Sequence, residues 1–163
     1  MTTRATQKGT HVLRVALQDE PTTYREIEVP STVSLYNLAA FMVSAFGFDF
    51  DHAFGFYTDL GDGFLRSQPR YELFADMGER ENSLSVKKTS VADAFEEVGQ
   101  TLLFMFDYGD DWRFVVEVIG RGARNPGTRY PRNLKSAGEA PEQYPEWDDD
   151  GNVEDGIEGS RPH

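Results

Sequence analysis

The chain predicts an α+β domain, a mixed and mainly antiparallel sheet with one long helix packed across it, and three stretches carry that prediction. Leu102 to Ile119 sets two apolar runs around Tyr108-Gly109-Asp110-Asp111, the composition of a β-hairpin. His11 to Leu17 alternates apolar and polar residues and is answered, after turn chemistry at Asp19-Glu20-Pro21-Thr22, by a second alternating run from Tyr24 to Pro30. Between the two hairpins, residues 34–46 carry Leu35, Leu38, Phe41, Met42 and Ala45 at helical spacing, with Ser34 as N-cap and Gly47 as the stop.

The remaining elements follow in order. Residues 1–10 are polar and read as a flexible N-terminus, and residues 11–143 as a single domain. Tyr24, Glu26 and Glu28 fall on one face of the second strand, with Arg25, Ile27 and Val29 on the other. Ala53 to Tyr57 is a further strand. Residues 65–88 have a weak pattern and read as a long excursion. Residues 90–98 read as a short helix with Ser90 and Asp93 in a capping box and Gly99 as the stop. Residues 121–138 are rich in Gly, Pro and basic side chains and read as a loop, and residues 144–163 as an acidic, disordered tail.

Register within the signature hairpin, at about residues 102–119, is argued from its aromatic residues. A three-residue loop at Gly109-Asp110-Asp111 faces Tyr108 with Trp112, Phe106 with Phe114, Phe104 with Val116 and Leu102 with Val118 on one side, and pairs Asp107 with Arg113 on the other. A two-residue loop sets Phe106 against Arg113 and Trp112 against Asp107, so the three-residue loop is preferred.

Composition removes whole classes of function. There is no cysteine, so disulfides, thiol catalysis and Cys-ligated metal are excluded. A net charge of −12 argues against a general nucleic-acid binder. No stretch reaches the roughly 20 apolar residues of a membrane helix, and no signal-peptide core opens the chain, which predicts a cytoplasmic protein without a membrane partner. No Walker motif, Gly-x-Ser-x-Gly elbow or His-Glu-x-x-His helix occurs.

Candidate chemistry concentrates at the signature hairpin. Asp107, Asp110 and Asp111 with His52 are the residue types that would hold Mg²⁺ or Mn²⁺ for phosphoryl chemistry, although turn formation accounts for the same aspartates. Trp112 and Tyr108 offer a stacking surface, and His52, close behind Asp49 and Asp51 in the sequence, offers a base or ligand. Arg121, Arg124, Arg129, Arg132 and Lys135, interleaved with Tyr130, form the basic concentration.

These residues, in this order, resemble the plasmid pRiA4b ORF-3-like family over about residues 12–143. The resemblance rests on Val29-Pro30, the helix with Leu35 and Leu38, Gly47-Phe48-Asp49 leading to His52, Phe54 and Phe56, the Val91 to Phe95 segment, Phe106-Asp-Tyr-Gly-Asp-Asp-Trp112, Tyr130-Pro131-Arg132, and Gly138-Glu-Ala-Pro-Glu142. Many members carry Trp at the position of Phe48, a second His at Phe54, and cysteines around Asn133, Ala140 and Tyr144, so ligand roles of those residues do not carry over. The family's further C-terminal helices read here as truncated into the acidic tail.

The reading that follows is a non-catalytic, cofactor-free binding or protein-interaction module whose site is a groove of Trp112, Tyr108, Tyr130, Arg132 and His52, with a protein partner or small ligand. The alternative is a metal-dependent phosphodiester-processing enzyme or accessory factor associated with mobile DNA, using Mg²⁺ or Mn²⁺ at Asp107, Asp110, Asp111 and His52. A third is an accessory subunit whose acidic tail docks a basic partner.

Overall fold

A computed structural model describes residues 9–78 and 82–144. Eight strands form one sheet: β1 (Gly9–Leu17), β2 (Tyr24–Pro30), β3 (Phe54–Tyr57), β4 (Arg70–Glu72), β5 (Leu84–Ser85), β6 (Thr101–Phe106), β7 (Trp112–Ala123) and β8 (Arg132–Ala137). Their order across the sheet is β5-β4-β3-β6-β7-β1-β2-β8, with every neighbouring pair antiparallel except β4 and β5. The sheet is therefore mixed and mainly antiparallel, as the alternation of the two hairpins predicts.

Helix α1 (Leu35–Ala45) begins at Ser34, whose hydroxyl accepts the Asn37 N–H, and ends before Gly47, which takes the left-handed φ of +76°. Leu35, Leu38, Ala39, Met42 and Val43 are buried and pack with Leu13, Val15, Ile27, Val29, Phe104, Phe106, Phe114, Val116 and Val118 of the sheet. Burying each such side chain contributes about 1.5–3 kcal/mol, so this layer dominates the stability of the domain. A smaller cluster of Tyr57, Phe64, Leu103 and Met105 covers the opposite face under β3 and β6.

Several sequence boundaries are corrected. Gly9 and Thr10 belong to β1: Ser31 N–H donates to the Gly9 carbonyl, and the Thr10 hydroxyl donates to Glu28 at 2.6 Å. Residues 1–8 lie outside the described residues. The excursion at 65–88 supplies the short edge strands β4 and β5, a 3₁₀ turn at Phe64–Arg66 and a one-turn helix α2 (Leu73–Asp76). The helix expected at 90–98 is the single turn α3 (Val91–Ala94), because Phe95 leaves helical geometry to enter the core and the Gln100 side chain accepts the N–H groups of Glu96 and Glu97. The basic loop contains the edge strand β8, paired with β2.

Within the described residues no helix is long and apolar enough to cross a membrane. Of the tail expected from residue 144, Tyr144 is described and hydrogen-bonded, and residues 145–163 lie outside the described residues.

Candidate functional site

The signature hairpin differs from its expected register by two residues. Phe106 pairs with Trp112, Met105 with Arg113, Phe104 with Phe114 and Leu102 with Val116, leaving a five-residue loop, Asp107 to Asp111. The physical reason is the backbone of the two flanking aspartates. Asp107 and Asp111 both adopt left-handed conformations, φ 65° and 61°, which Asp tolerates better than most residues. The Asp107 N–H donates to the Ala53 carbonyl at 2.9 Å, its carbonyl accepts the Asp111 N–H at 2.6 Å, and its Oδ1 accepts the Asp110 N–H at 3.2 Å. The loop closes on Asp107 rather than on Gly109.

This register separates residues that the shorter loop would have joined. Asp107 does not pair with Arg113, whose guanidinium is held instead by Asp111 at 2.8 Å and Asp62 at 2.9 Å. Tyr108 lies over the smaller cluster on one face, its hydroxyl 2.6 Å from that of Tyr57, while Trp112 packs against the main core with its ring 4.9 Å from Phe48. Tyr57 also donates to the fully buried Glu72, and its phenol is pushed well above the ordinary tyrosine range, first by burial and then by Tyr108 and Glu72. Gly55 makes room for this pair of phenols: a Cβ there would stand 2.7 Å and 2.8 Å from the two hydroxyl oxygens.

On the helix-bearing face, Asp107 meets His52. The Asp107 side chain is 7% exposed, and its Oδ2 lies 3.3 Å from His52 Nε2. The same ring nitrogen is 2.7 Å from the Tyr144 hydroxyl and 3.5 Å from Asp51 Oδ1. The Tyr144 hydroxyl donates to Asp51 Oδ2 at 2.9 Å, which leaves its oxygen able to accept from His52 Nε2 in the tautomer protonated there. Asp107 Oδ2 and the Trp112 indole N–H are buried atoms without a hydrogen-bond partner among the described residues. The Tyr144 phenol is raised well above its usual range by burial, by its bond to Asp51, and by the fields of Asp51, Asp107 and Asp110. The corner is thus an acceptor-rich cluster, suited chemically to receive a hydrogen-bond donor or a cation.

Two of its residues gave no sequence signal. Gln143 is buried and bonds both backbone groups of Asp49: its Oε1 accepts the Asp49 N–H at 2.7 Å and its Nε2 donates to the Asp49 carbonyl at 3.1 Å. Tyr144 follows it onto His52. Gln143 ends the expected domain and Tyr144 opens the expected acidic tail, and no local periodicity marks either.

The other expected site residues lie elsewhere. Tyr130 accepts the Asn125 N–H just beyond the end of β7, between the guanidinium groups of Arg124 and Arg132. Arg132 is committed to Glu28, with Nε at 3.0 Å and Nη2 at 2.7 Å from Oε1. Trp112 opens β7 and Ala123 closes it, and the eleven residue-to-residue steps between them span about 36 Å. The structure therefore brings His52, Asp107 and Trp112 to one end of the sheet and Tyr130 and Arg132 to the other, and the single groove is not formed. Among the described residues no group of three or more His, Asp or Glu side chains has the arrangement to hold a metal ion.

An α+β domain with an eight-stranded sheet, one covering helix and an aspartate-closed hairpin at the corner of the site is the class these features define. Residues 10–146 match the family model described as plasmid pRiA4b ORF-3-like protein, and the chain belongs to that family. Among solved structures it is similar to the crystal structure of a protein of unknown function, MM3350 from Methanosarcina mazei Go1, with a TM-score of 0.65 and 20% identity over 78% of this chain and 69% of that one. At that identity the likeness bears on the fold alone. No curated protein matches.

Proposed function

We propose that the domain is a non-catalytic binding module that takes a protein partner at the corner of His52, Asp107 and Trp112. The observation that carries the reading is Asp107. It is a buried carboxylate in a left-handed backbone, with one oxygen that lacks a hydrogen-bond donor among the described residues. A buried polar atom left unpaired costs about 1–3 kcal/mol, and strain of this kind concentrates at working sites. The buried Trp112 N–H adds a donor in need of an acceptor at the adjoining strand end. A partner that supplies both bonds recovers that cost on binding.

Catalysis is the weaker reading on the same residues. His52 Nε2 is already bonded to Tyr144 and ringed by two carboxylates, and Asp111 is drawn away to Arg113. The metal-dependent phosphodiester alternative needs those aspartates to converge with His52.

Affinity capture with the full chain as bait tests the reading, comparing wild type, Asp107→Asn and, at the opposite end of the sheet, Arg121→Ala. Partners retained by wild type and Arg121→Ala but depleted at least fivefold by Asp107→Asn support it. Equal recovery by all three, or a one-to-one Mn²⁺ site in calorimetry that Asp107→Asn removes, overturns it.

A further inference from the structure

The residues that follow β8 cross the corner as a strap. Gly138 takes φ +78° at its root, where a Cβ would stand 2.5 Å from the Thr23 hydroxyl and 2.8 Å from Thr23 Cα. Arg25 Nη1 holds the carbonyls of Ala137 and Gly138 at 3.0 and 3.2 Å. Ala140 packs on the core, and Gln143 and Tyr144 then close on Asp49, Asp51 and His52. Among the described residues no backbone-to-backbone hydrogen bond involves residues 139–144, so the grip beyond the root runs through side chains.

We propose that residues 138–144 are a latch filling, in cis, the surface the module uses for its partner, and that the partner is an extended basic peptide whose groups replace those of Gln143 and Tyr144. The inference rests on the binding reading above and deepens it. Two observations support it.

The first is the form of the Gln143 contact. Its side-chain amide bonds the N–H and the carbonyl of one residue, Asp49, as the backbone of an added strand would. A surface that accepts an amide in this way accepts the peptide group or carboxamide of another chain. The second is charge. The Tyr144 phenol lies in the field of Asp51, Asp107 and Asp110, and the strap that carries it, Gly138-Glu139-Ala140-Pro141-Glu142-Gln143-Tyr144, has two acidic residues and no basic one to offer that field. Like charges at short range are destabilising. The native strap is therefore a poor electrostatic match for the surface it covers, and a segment with lysine at those two positions is a better one.

The test uses the full chain with the latch opened in two ways. Gln143→Ala/Tyr144→Ala removes the gripping side chains. Gly138→Ala disturbs the root against Thr23 while leaving both those side chains and the Asp49 to His52 surface intact. The probes are two synthetic heptapeptides, one with the sequence of residues 138–144 and one with lysine at the positions of Glu139 and Glu142. A cis segment acts at an effective concentration on the order of millimolar, so wild type should bind either peptide at least tenfold more weakly than the opened chains. The opened chains should bind the lysine peptide at least tenfold more tightly than the native one.

Opened variants that retain their circular dichroism spectrum and bind neither peptide up to millimolar concentration overturn the latch, as does equal binding by wild type and both variants. Equal affinity for the two peptides overturns the basic character of the partner. The two levels separate cleanly. Capture that depends on Asp107 without peptide binding leaves the module reading standing and removes the latch. Peptide binding without Asp107-dependent capture leaves the strap's contact surface standing and removes Asp107 as the anchor of the partner.

Discussion

The two ends of β7 use the same residue types to opposite effect. At its C-terminal end Glu28 is nearly buried, and every oxygen has a donor: Thr10 on Oε2, and two guanidinium nitrogens of Arg132 on Oε1. At its N-terminal end Asp107 is equally buried, yet among the described residues Oδ2 has no hydrogen-bond donor and faces His52 at 3.3 Å. A satisfied buried carboxylate locks three strands together. An unsatisfied one marks a place where the fold accepts a cost, so charge clusters in this molecule are sorted by hydrogen-bond completeness and not by charge count.

The contrast breaks most visibly where packing alone decides. Gly55→Ala drives a methyl group within 2.9 Å of both phenols and the Tyr57 ring, with Tyr57 buried and held by Glu72 and Tyr108 held by Tyr57. Overpacking of this kind costs about 3 kcal/mol, and thermal denaturation should show a larger loss than for any of the charge changes at the two ends of β7. It also frees Tyr108, so the loop that carries Asp107 should gain hydrogen-exchange rate. Unchanged stability would mean that the Tyr57–Tyr108–Glu72 cluster does not fix the loop.

Next in size is Glu28→Ala. It strands the Thr10 hydroxyl and the Arg132 fork, and because the Arg132 side chain is 46% exposed the loss is well below that of a fully buried pair, about 2 kcal/mol. Denaturant titration should place it clearly below wild type while partner capture persists. Loss of capture with Glu28→Ala at intact stability would move the binding surface to the basic end.

The long helix, both hairpins and the core face were legible because alternation and the 3.6-residue period report burial directly. Ser34 and Gly47 behave as their chemistry dictates. The loop register was not legible, since it turns on two aspartates entering left-handed conformations, a choice that pairing of aromatic residues cannot anticipate. His52 and Asp107 were visible as candidates one by one, but their meeting depends on that register. Gln143 and Tyr144 were invisible for a different reason: each contacts residues more than ninety positions away in an acidic, aperiodic stretch.

A pH-dependent difference between the ends comes from His11. It is fully buried in β1, its Nε2–H donating to the Phe95 carbonyl at 2.8 Å and its Nδ1 accepting from the Ser31 hydroxyl at 2.8 Å. Burial lowers its pKa below the ordinary 6.5, the Phe95 hydrogen bond opposes that, and Arg121 adds to the lowering. A folded-state pKa below the unfolded one means that the unfolded chain takes up the proton first as pH falls. The stability contribution is complete above pH 6.5 and is lost progressively below it. Stability measured from pH 7.5 to 5 should fall more steeply in wild type than in His11→Gln, by up to about 1.4 kcal/mol per pH unit. Parallel curves would show that His11 is not the group responsible.

The smallest expected change in stability is the most discriminating. Asp107→Asn keeps the shape, keeps a side-chain oxygen for the Asp110 N–H, and keeps a residue that tolerates a left-handed backbone, so the loop retains its closure. What it removes is the negative charge beside His52. If Asp107 were a structural ion pair like Glu28, neutralising it would cost stability on the same scale as Glu28→Ala. As an oxygen without a hydrogen-bond donor it contributes little to the folded state, and the midpoint of unfolding should move by no more than about 0.5 kcal/mol. A loss near 2 kcal/mol places Asp107 with Glu28 as a stabilising group, and the contrast between the two ends of β7 then fails.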